Sequence, residues 1–133
     1  MDYRTEAPDI IKGFLTYHET IKGHSRKTVD EYYLDLRNFF RFLKIQRGIV
    51  PRNTELEDIS ISDIDLNFVK SVTVTEAYEY LSFMTRDKVK NQRSREAEYG
   101  TKASTRARKV STLRSFYNCL LYTSDAADDL IGV

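Results

Sequence analysis

The chain has 133 residues, enough for one domain with a real hydrophobic core but too few for two ordinary domains. Hydrophobic residues make up 41% and charged residues 31%, which is typical of a globular protein, and no apolar run reaches the roughly 18 residues of a membrane span. A single cysteine excludes an internal disulfide and a cysteine-based zinc site. Together with a polar N-terminus that shows no secretory signal, it predicts a cytoplasmic protein without membrane contact.

The net charge of +1 conceals an uneven distribution along the chain. Residues 46–72 carry three bases against five acids, and residues 86–118 carry ten bases against three acids, a net charge of +7. Such asymmetry is a hint of a polyanionic partner, although basic stretches are more often simply solvated surfaces.

Four stretches follow the 3.6-residue period of an amphipathic helix, and none alternates as a strand does, so we predict an all-α domain. The first helix is predicted over 8–22, with Pro8 in its first turn and Gly23 closing its end. Its apolar stripe consists of Ile10, Ile11, Phe14, Leu15, Tyr17 and Ile21.

The second predicted helix, 26–46, has the strongest pattern in the chain. Ser25 is its expected N-cap, and Gly48 and Pro51 end it. The apolar side of this helix comprises Val29, Tyr32, Tyr33, Leu36, Phe39, Phe40 and Leu43. The basic residues Arg26, Lys27, Arg37, Arg41 and Lys44 lie off that stripe and are expected on the outer surface.

An acidic connection, 47–73, follows, in which Ser62 is a candidate cap for one or two helical turns up to residue 70. A third helix is predicted over 76–90 with Thr75 as its cap, burying Ala77, Tyr80, Leu81 and Met84. Residues 91–102 are predicted to form an exposed basic loop because they include Gly100 and almost no aliphatic residue.

The fourth helix is predicted to start at Ser104, with Thr105 as the competing cap. Its expected apolar side comprises Ala107, Val110, Leu113, Phe116 and Tyr117. Both Arg108 and Arg114 lie off this stripe, so we expect them to face outward.

Two basic, hydroxyl-rich helix starts are the strongest functional signal. Backbone N–H groups and the positive dipole end of a helix N-terminus suit phosphate, and Arg and Lys add charge for a nucleic-acid backbone. The candidate DNA contacts are Ser25, Lys27, Thr28, Arg37, Arg41, Lys102, Ser104, Thr105, Arg106, Arg108, Lys109, Ser111 and Arg114. The alternative is a small helical protein–protein interaction module whose basic faces are merely solvated.

The residue inventory gives no support for catalysis, a cofactor or a metal in this chain. The two histidines, His18 beside an apolar stripe and His24 in a turn, are expected to be structural or exposed. No phosphate-loop glycine motif, HExxH motif or EF-hand loop occurs, and the aromatic residues fall mostly at core spacing.

Three motifs, in order along residues 4–118, resemble the N-terminal core-binding domain of tyrosine recombinases, the phage-integrase and Xer-type family. They are FLxY at 14–17 with GHSxKTVxxYxxDLxxFxxFL at 23–43, VxVTxxxxYL at 72–81, and STRxRKxSxLRxFY at 104–117. The resemblance implies a four-helix SAM-like bundle that forms half of a clamp around double-stranded DNA and works beside other recombinase protomers. It also implies that the catalytic Arg, Lys, His-x-x-Arg and Tyr belong to a separate domain beyond this chain.

The tail, 119–133, departs from the family pattern. Its run CLLYTSDAADD resembles the in-frame translation of a transposon-end sequencing adapter, so we expect the native sequence to diverge after about residue 118. The connections at 47–73 and 91–102 also look longer than those of compact family members.

Overall fold

The computed structural model describes residues 3–90 and 103–121, with the side chains of 5–85 and 103–120. It confirms the all-α prediction: the described residues form helices joined by turns and contain no strand. In chain order, the helices are α1 (Tyr3–Glu6), α2 (Asp9–Thr20), α3 (Arg26–Gln46), a 3-10 turn at Leu56–Asp58, α4 (Leu66–Lys70), α5 (Val74–Lys90) and α6 (Ala103–Leu121).

Local signals set the bounds of α2 and α3. Pro8 is extended, and its carbonyl accepts hydrogen bonds from the Ile11 and Lys12 N–H groups at 3.0 and 2.9 Å, which begins α2. Ser25 caps α3 as predicted, its Oγ accepting from the Thr28 N–H at 3.2 Å. Gly48, with φ of +74°, reverses the chain after α3, a conformation that glycine adopts without steric cost.

Three predicted caps are wrong by a few residues. Thr73, not Thr75, caps α5: its Oγ1 accepts from the Glu76 N–H at 3.2 Å, while Glu76 Oε1 accepts from the Thr73 N–H at 2.9 Å, a capping box. Asp65, not Ser62, caps α4 through the Phe68 N–H at 2.9 Å. The last helix begins at Ala103, so Ser104 lies inside the first turn.

The core is organised around α3, which packs against α2, α5 and α6. Phe116 of α6 meets Phe14 of α2 edge-on at 5.4 Å and Phe40 of α3 at 6.2 Å. On the other side, Phe39 meets Tyr80 of α5 at 5.2 Å. Edge-on aromatic pairs at these separations add favourable contacts beyond the area they bury.

Most predicted core residues are buried, but the ends of two stripes are not. Val29, Tyr33, Leu36 and Leu43 are almost fully buried, as the period of α3 predicts. The prediction is wrong for Tyr17 and Ile21, which are 39% and 70% exposed and lie in and just after the last turn of α2, which ends at Thr20. Ala107 of α6 is also exposed.

The helices α3 and α6 run in the same direction. Glu31 and Asp35 of α3 both face Arg108, Asp35 also bonds Thr112, and Phe40 meets Phe116 one turn further on. Because Glu31 lies five residues after the first residue of α3, and Arg108 five residues after that of α6, both helices begin at the same end of the bundle. None of the described helices is long and apolar enough to cross a membrane.

Candidate nucleic-acid interface

The start of α3 presents its hydroxyls and one lysine at the surface. Ser25 Oγ, besides accepting from the Thr28 N–H, donates to Thr28 Oγ1 at 3.0 Å, so the two hydroxyls form a pair at the helix end. Lys27 is exposed and makes no ion pair with another described residue. This end therefore combines the positive end of a 21-residue helix dipole with an available ammonium group.

The outward face of α6 is a stripe of mostly small and polar side chains. Its exposed members recur at helical spacing: Ser104, Ala107, Ser111, Arg114 and Asn118. Arg114 is the cation of this stripe, and it forms no ion pair within the described part of the chain. Short side chains allow another backbone to approach the helix closely, with Arg114 available to a phosphate.

Two further cations of α6 are turned inward, which corrects the prediction that Arg108 lies on the outer face. The Arg108 guanidinium donates to both carboxylate oxygens of Asp35, from Nη2 at 2.7 Å and Nε at 3.2 Å. Lys109 Nζ bonds the same carboxylate at 2.9 Å, and Thr112 Oγ1 donates to it at 2.9 Å. Hydrogen bonding to Asp35 raises the pKa of Arg108, so the guanidinium stays charged.

Two candidates on α3 are also committed to contacts within the chain, which corrects their expected position on the outer surface. Arg41 is only 7% exposed, and its Nε donates to the Ile59 carbonyl at 2.8 Å. Arg37 Nη1 lies 3.4 Å from Glu6 Oε1, and Arg41 Nη2 lies 3.8 Å from the same oxygen. Both arginines thus tie α3 to Glu6 at the N-terminus, and Arg41 also ties it to the acidic connection.

Lys44, another residue expected on the outer surface, also bonds to the acidic connection 47–73. Its Nζ reaches the Ser60 carbonyl at 2.8 Å and the Asp63 carboxylate at 2.5 Å, while its side chain is buried. Asp63 of the acidic connection therefore has a structural role, since its carboxylate neutralises Lys44 of α3.

The remaining candidates are distributed around the start of α6. Thr105 and Arg106 are half-buried, and Arg106 lines a shallow groove between α5 and α6 together with Leu81 and Val110. Lys102 lies outside the described residues. Most of 119–133 also lies outside them, and of that tail Cys119 and Leu120 continue α6, with Leu120 buried in the core.

The titratable groups of the interior are packed among aromatic rings. His18 is buried, stands edge-on to Phe14 at 4.5 Å, and has its pKa lowered by that burial. Burial also raises the pKa of Tyr80 and of Tyr117, so both phenols stay protonated at neutral pH. Among the side chains described, no group of three or more His, Cys, Asp or Glu is placed to hold a metal ion.

Asp35 is the residue that sequence reasoning missed. A signal was present, because Asp35 follows Tyr32 by three residues and precedes Phe39 by four, which places a carboxylate on the apolar stripe. Buried carboxylates are paired, so an acid at core spacing predicts a cationic partner on a facing helix. The packing of α3 against α6 determines which cations of the last helix pair with this carboxylate.

Comparison with known proteins identifies the family of this all-α bundle. Residues 11–122 match the family described as phage integrase, N-terminal SAM-like domain, and the chain belongs to this family. A curated relative, the tyrosine recombinase XerC of Caldanaerobacter subterraneus subsp. tengcongensis, is 43% identical over 113 residues. That alignment covers 85% of this chain and 29% of the relative, so the chain spans less than a third of the relative's length. No solved structure gives a significant match.

Proposed function

We propose that this chain binds duplex DNA as the core-binding domain of a site-specific tyrosine recombinase. In the full-length protein it would hold one side of the recombination site and act with other recombinase protomers, while a separate catalytic domain cleaves the strand through a tyrosine. Membership of the N-terminal phage-integrase family supports this proposal, as does the recombinase name of the relative.

One structural observation supports the proposal most directly: the N-termini of α3 and α6 lie at the same end of the bundle. The backbone N–H groups that a helix leaves without intrahelical partners in its first turn, together with the positive ends of two parallel dipoles, favour phosphate at that end. The proposed contacts are the residues that line this end and the outward stripe of α6, namely Ser25, Lys27, Thr28, Ser104, Ser111 and Arg114.

Binding to duplex oligonucleotides across a salt series tests the proposal. Neutralising phosphates releases counterions. The logarithm of the affinity therefore falls linearly with the logarithm of the salt concentration, with a slope of about −0.9 for each phosphate contacted. Lys27→Ala and Arg114→Ala should each weaken binding and reduce that slope by about one contact. Glu79→Gln, an exposed change on α5, is the matched control. No binding by the wild-type chain at low salt would contradict the proposal.

A protein–protein interaction module is the second candidate, and exposed apolar side chains favour it. Ile21 is 70% exposed, while Tyr78 and Ile49 are also among the exposed large hydrophobic residues. A module of this kind would not bind duplex DNA at low salt, and Lys27→Ala would leave that result unchanged. The salt series therefore separates the two functions.

A further inference from the structure

The carboxylate of Asp35 is an unusual feature for a helix face proposed to approach DNA. It is 1% exposed, and its two oxygens accept four hydrogen bonds from three residues of α6: Arg108, Lys109 and Thr112. Removing a partner from a buried charge is costly, because the charge is then left without compensation. Asp35 therefore holds both cations firmly.

The charge of this cluster is balanced by a second carboxylate. Glu31, one turn before Asp35, lies with Oε2 4.0 Å from Arg108 Nη1. Arg108 thus directs Nε and Nη2 to Asp35 and Nη1 toward Glu31. Two carboxylates face two cations, and the group has no net charge.

Arg108 is nevertheless within reach of solvent. Its side chain is 40% exposed, and that of Glu31 is 41% exposed, whereas the Lys109 side chain is 14% exposed. A phosphate arriving at this surface would compete with the two carboxylates for the same guanidinium. Asp35 already occupies the Nε and Nη2 fork that a phosphate would use for bidentate binding, and the two carboxylates beside the remaining donors repel a phosphate.

We propose that Asp35, assisted by Glu31, is an internal counter-ion that withholds Arg108 and Lys109 from DNA phosphates and thereby limits sequence-independent binding. The inference rests on the proposed function and deepens it. Among the described residues, the exposed stripe of α6 then presents Arg114 to the DNA, while Arg106 is half-buried at the groove with α5. Fewer phosphate contacts improve the discrimination between the specific site and other DNA, because the non-specific affinity of a DNA-binding domain comes almost entirely from such contacts.

The test measures how the 133-residue chain binds a duplex of random sequence at several salt concentrations. Asp35→Asn and Glu31→Gln should bind this duplex several-fold more tightly at low salt, and with a steeper salt slope, by up to about 0.9 for each cation released. Adding Arg108→Ala to Glu31→Gln should return the slope to that of the wild type, whereas adding it to Asp35→Asn should leave the increase that comes from Lys109. Arg108→Ala alone should leave the slope unchanged, whereas Arg114→Ala should reduce it.

The variants also distinguish this role from a purely structural one. If Asp35 only holds α3 and α6 together, Asp35→Asn lowers stability without steepening the salt slope. Glu31 is half-exposed, so Glu31→Gln should fold as the wild type does and decides the question if Asp35→Asn fails to fold. An unchanged slope in folded Glu31→Gln, or a reduced slope in Arg108→Ala, overturns the inference while the proposed function stands. Failure of the wild-type chain to bind any duplex overturns both.

Discussion

Arg47 at the end of α3 and Glu76 in the first turn of α5 are joined by two parallel hydrogen bonds, Nε to Oε2 at 2.7 Å and Nη2 to Oε1 at 2.8 Å. Arg47 Nη1 also donates to Ser71 Oγ at 2.8 Å, and its guanidinium carbon lies 4.7 Å from the centre of the Phe68 ring. The same glutamate closes the capping box of α5 with Thr73. One ion pair therefore fixes the end of the acidic connection and the start of α5 against α3.

Replacing Glu76 by Gln should destabilise the domain by about 1–3 kcal/mol, since hydrogen bonds to a charged partner are lost at a half-buried position. Urea unfolding followed by circular dichroism measures the change. Glu79→Gln is the control: Glu79 is exposed and accepts from Gln46 Nε2 at 3.3 Å, so its loss should stay within about 0.5 kcal/mol. Equal losses of stability in Glu76→Gln and Glu79→Gln would show that the Arg47–Glu76 ion pair stabilises the domain no more than an exposed hydrogen bond does.

Acid should weaken this ion pair. The Arg47 hydrogen bonds hold the pKa of Glu76 below its ordinary value of 4.5. Because the folded state then binds the proton more weakly than the unfolded state, the stabilisation is complete above pH 4.5 and is lost as the pH falls through the lower folded pKa. The free energy of unfolding, measured from neutral to acid pH, should depend less on pH in Glu76→Gln than in the wild type. A steeper dependence in the variant would contradict this assignment.

Leu36→Ala should destabilise the domain by roughly 2–5 kcal/mol through lost burial and a residual cavity, because Leu36 is fully buried at the centre of α3. Ile21→Ala removes an aliphatic side chain that is 70% exposed and should change stability by less than about 0.5 kcal/mol. Thermal unfolding of both variants compares them directly. A large loss in Ile21→Ala would mean that the end of α2 packs inward in solution.

Ser25 combines a helix cap with a place at the proposed DNA surface, and two substitutions separate these roles. Ser25→Ala removes the oxygen that accepts from the Thr28 N–H and should cost about 1 kcal/mol of stability. Ser25→Asp retains a capping oxygen, so stability should be kept, yet its negative charge should weaken duplex binding strongly. Melting temperature and binding, measured on the same samples, test both. Undiminished binding by a folded Ser25→Asp would remove this helix end from the interface.

The period of the apolar residues predicted the four long helices and most of the core. It worked because α3 buries a continuous stripe, from Val29 to Leu43, against three neighbours at once. The ends of elements were less predictable: Thr73 and Thr75 are equivalent as caps by composition, and only the reach of Glu76 back to the Thr73 N–H selects between them.

The basic candidate residues were the least predictable part of the site. A helical wheel places Arg41 and Arg108 off the apolar stripe, but long side chains can reach acceptors on other elements. The Ile59 carbonyl is 18 residues from Arg41, and Asp35 is 73 residues from Arg108. Such partners are set by tertiary packing, so a count of basic residues overstated the charge that this surface offers to DNA.

The parallel arrangement of α3 and α6 has a consequence for the order of folding. Neighbours α2 and α3 meet through pairs close in sequence, such as Phe14 and Tyr32, whereas Asp35 and Thr112 are 77 residues apart. Closing a longer loop costs more chain entropy, so the α2–α3 hairpin should form before α6 docks. We expect Thr112→Ala to accelerate unfolding and leave the refolding rate almost unchanged, while Val29→Ala slows refolding. The surface of α2 and α3 that receives α6 would therefore form before α6 packs against it.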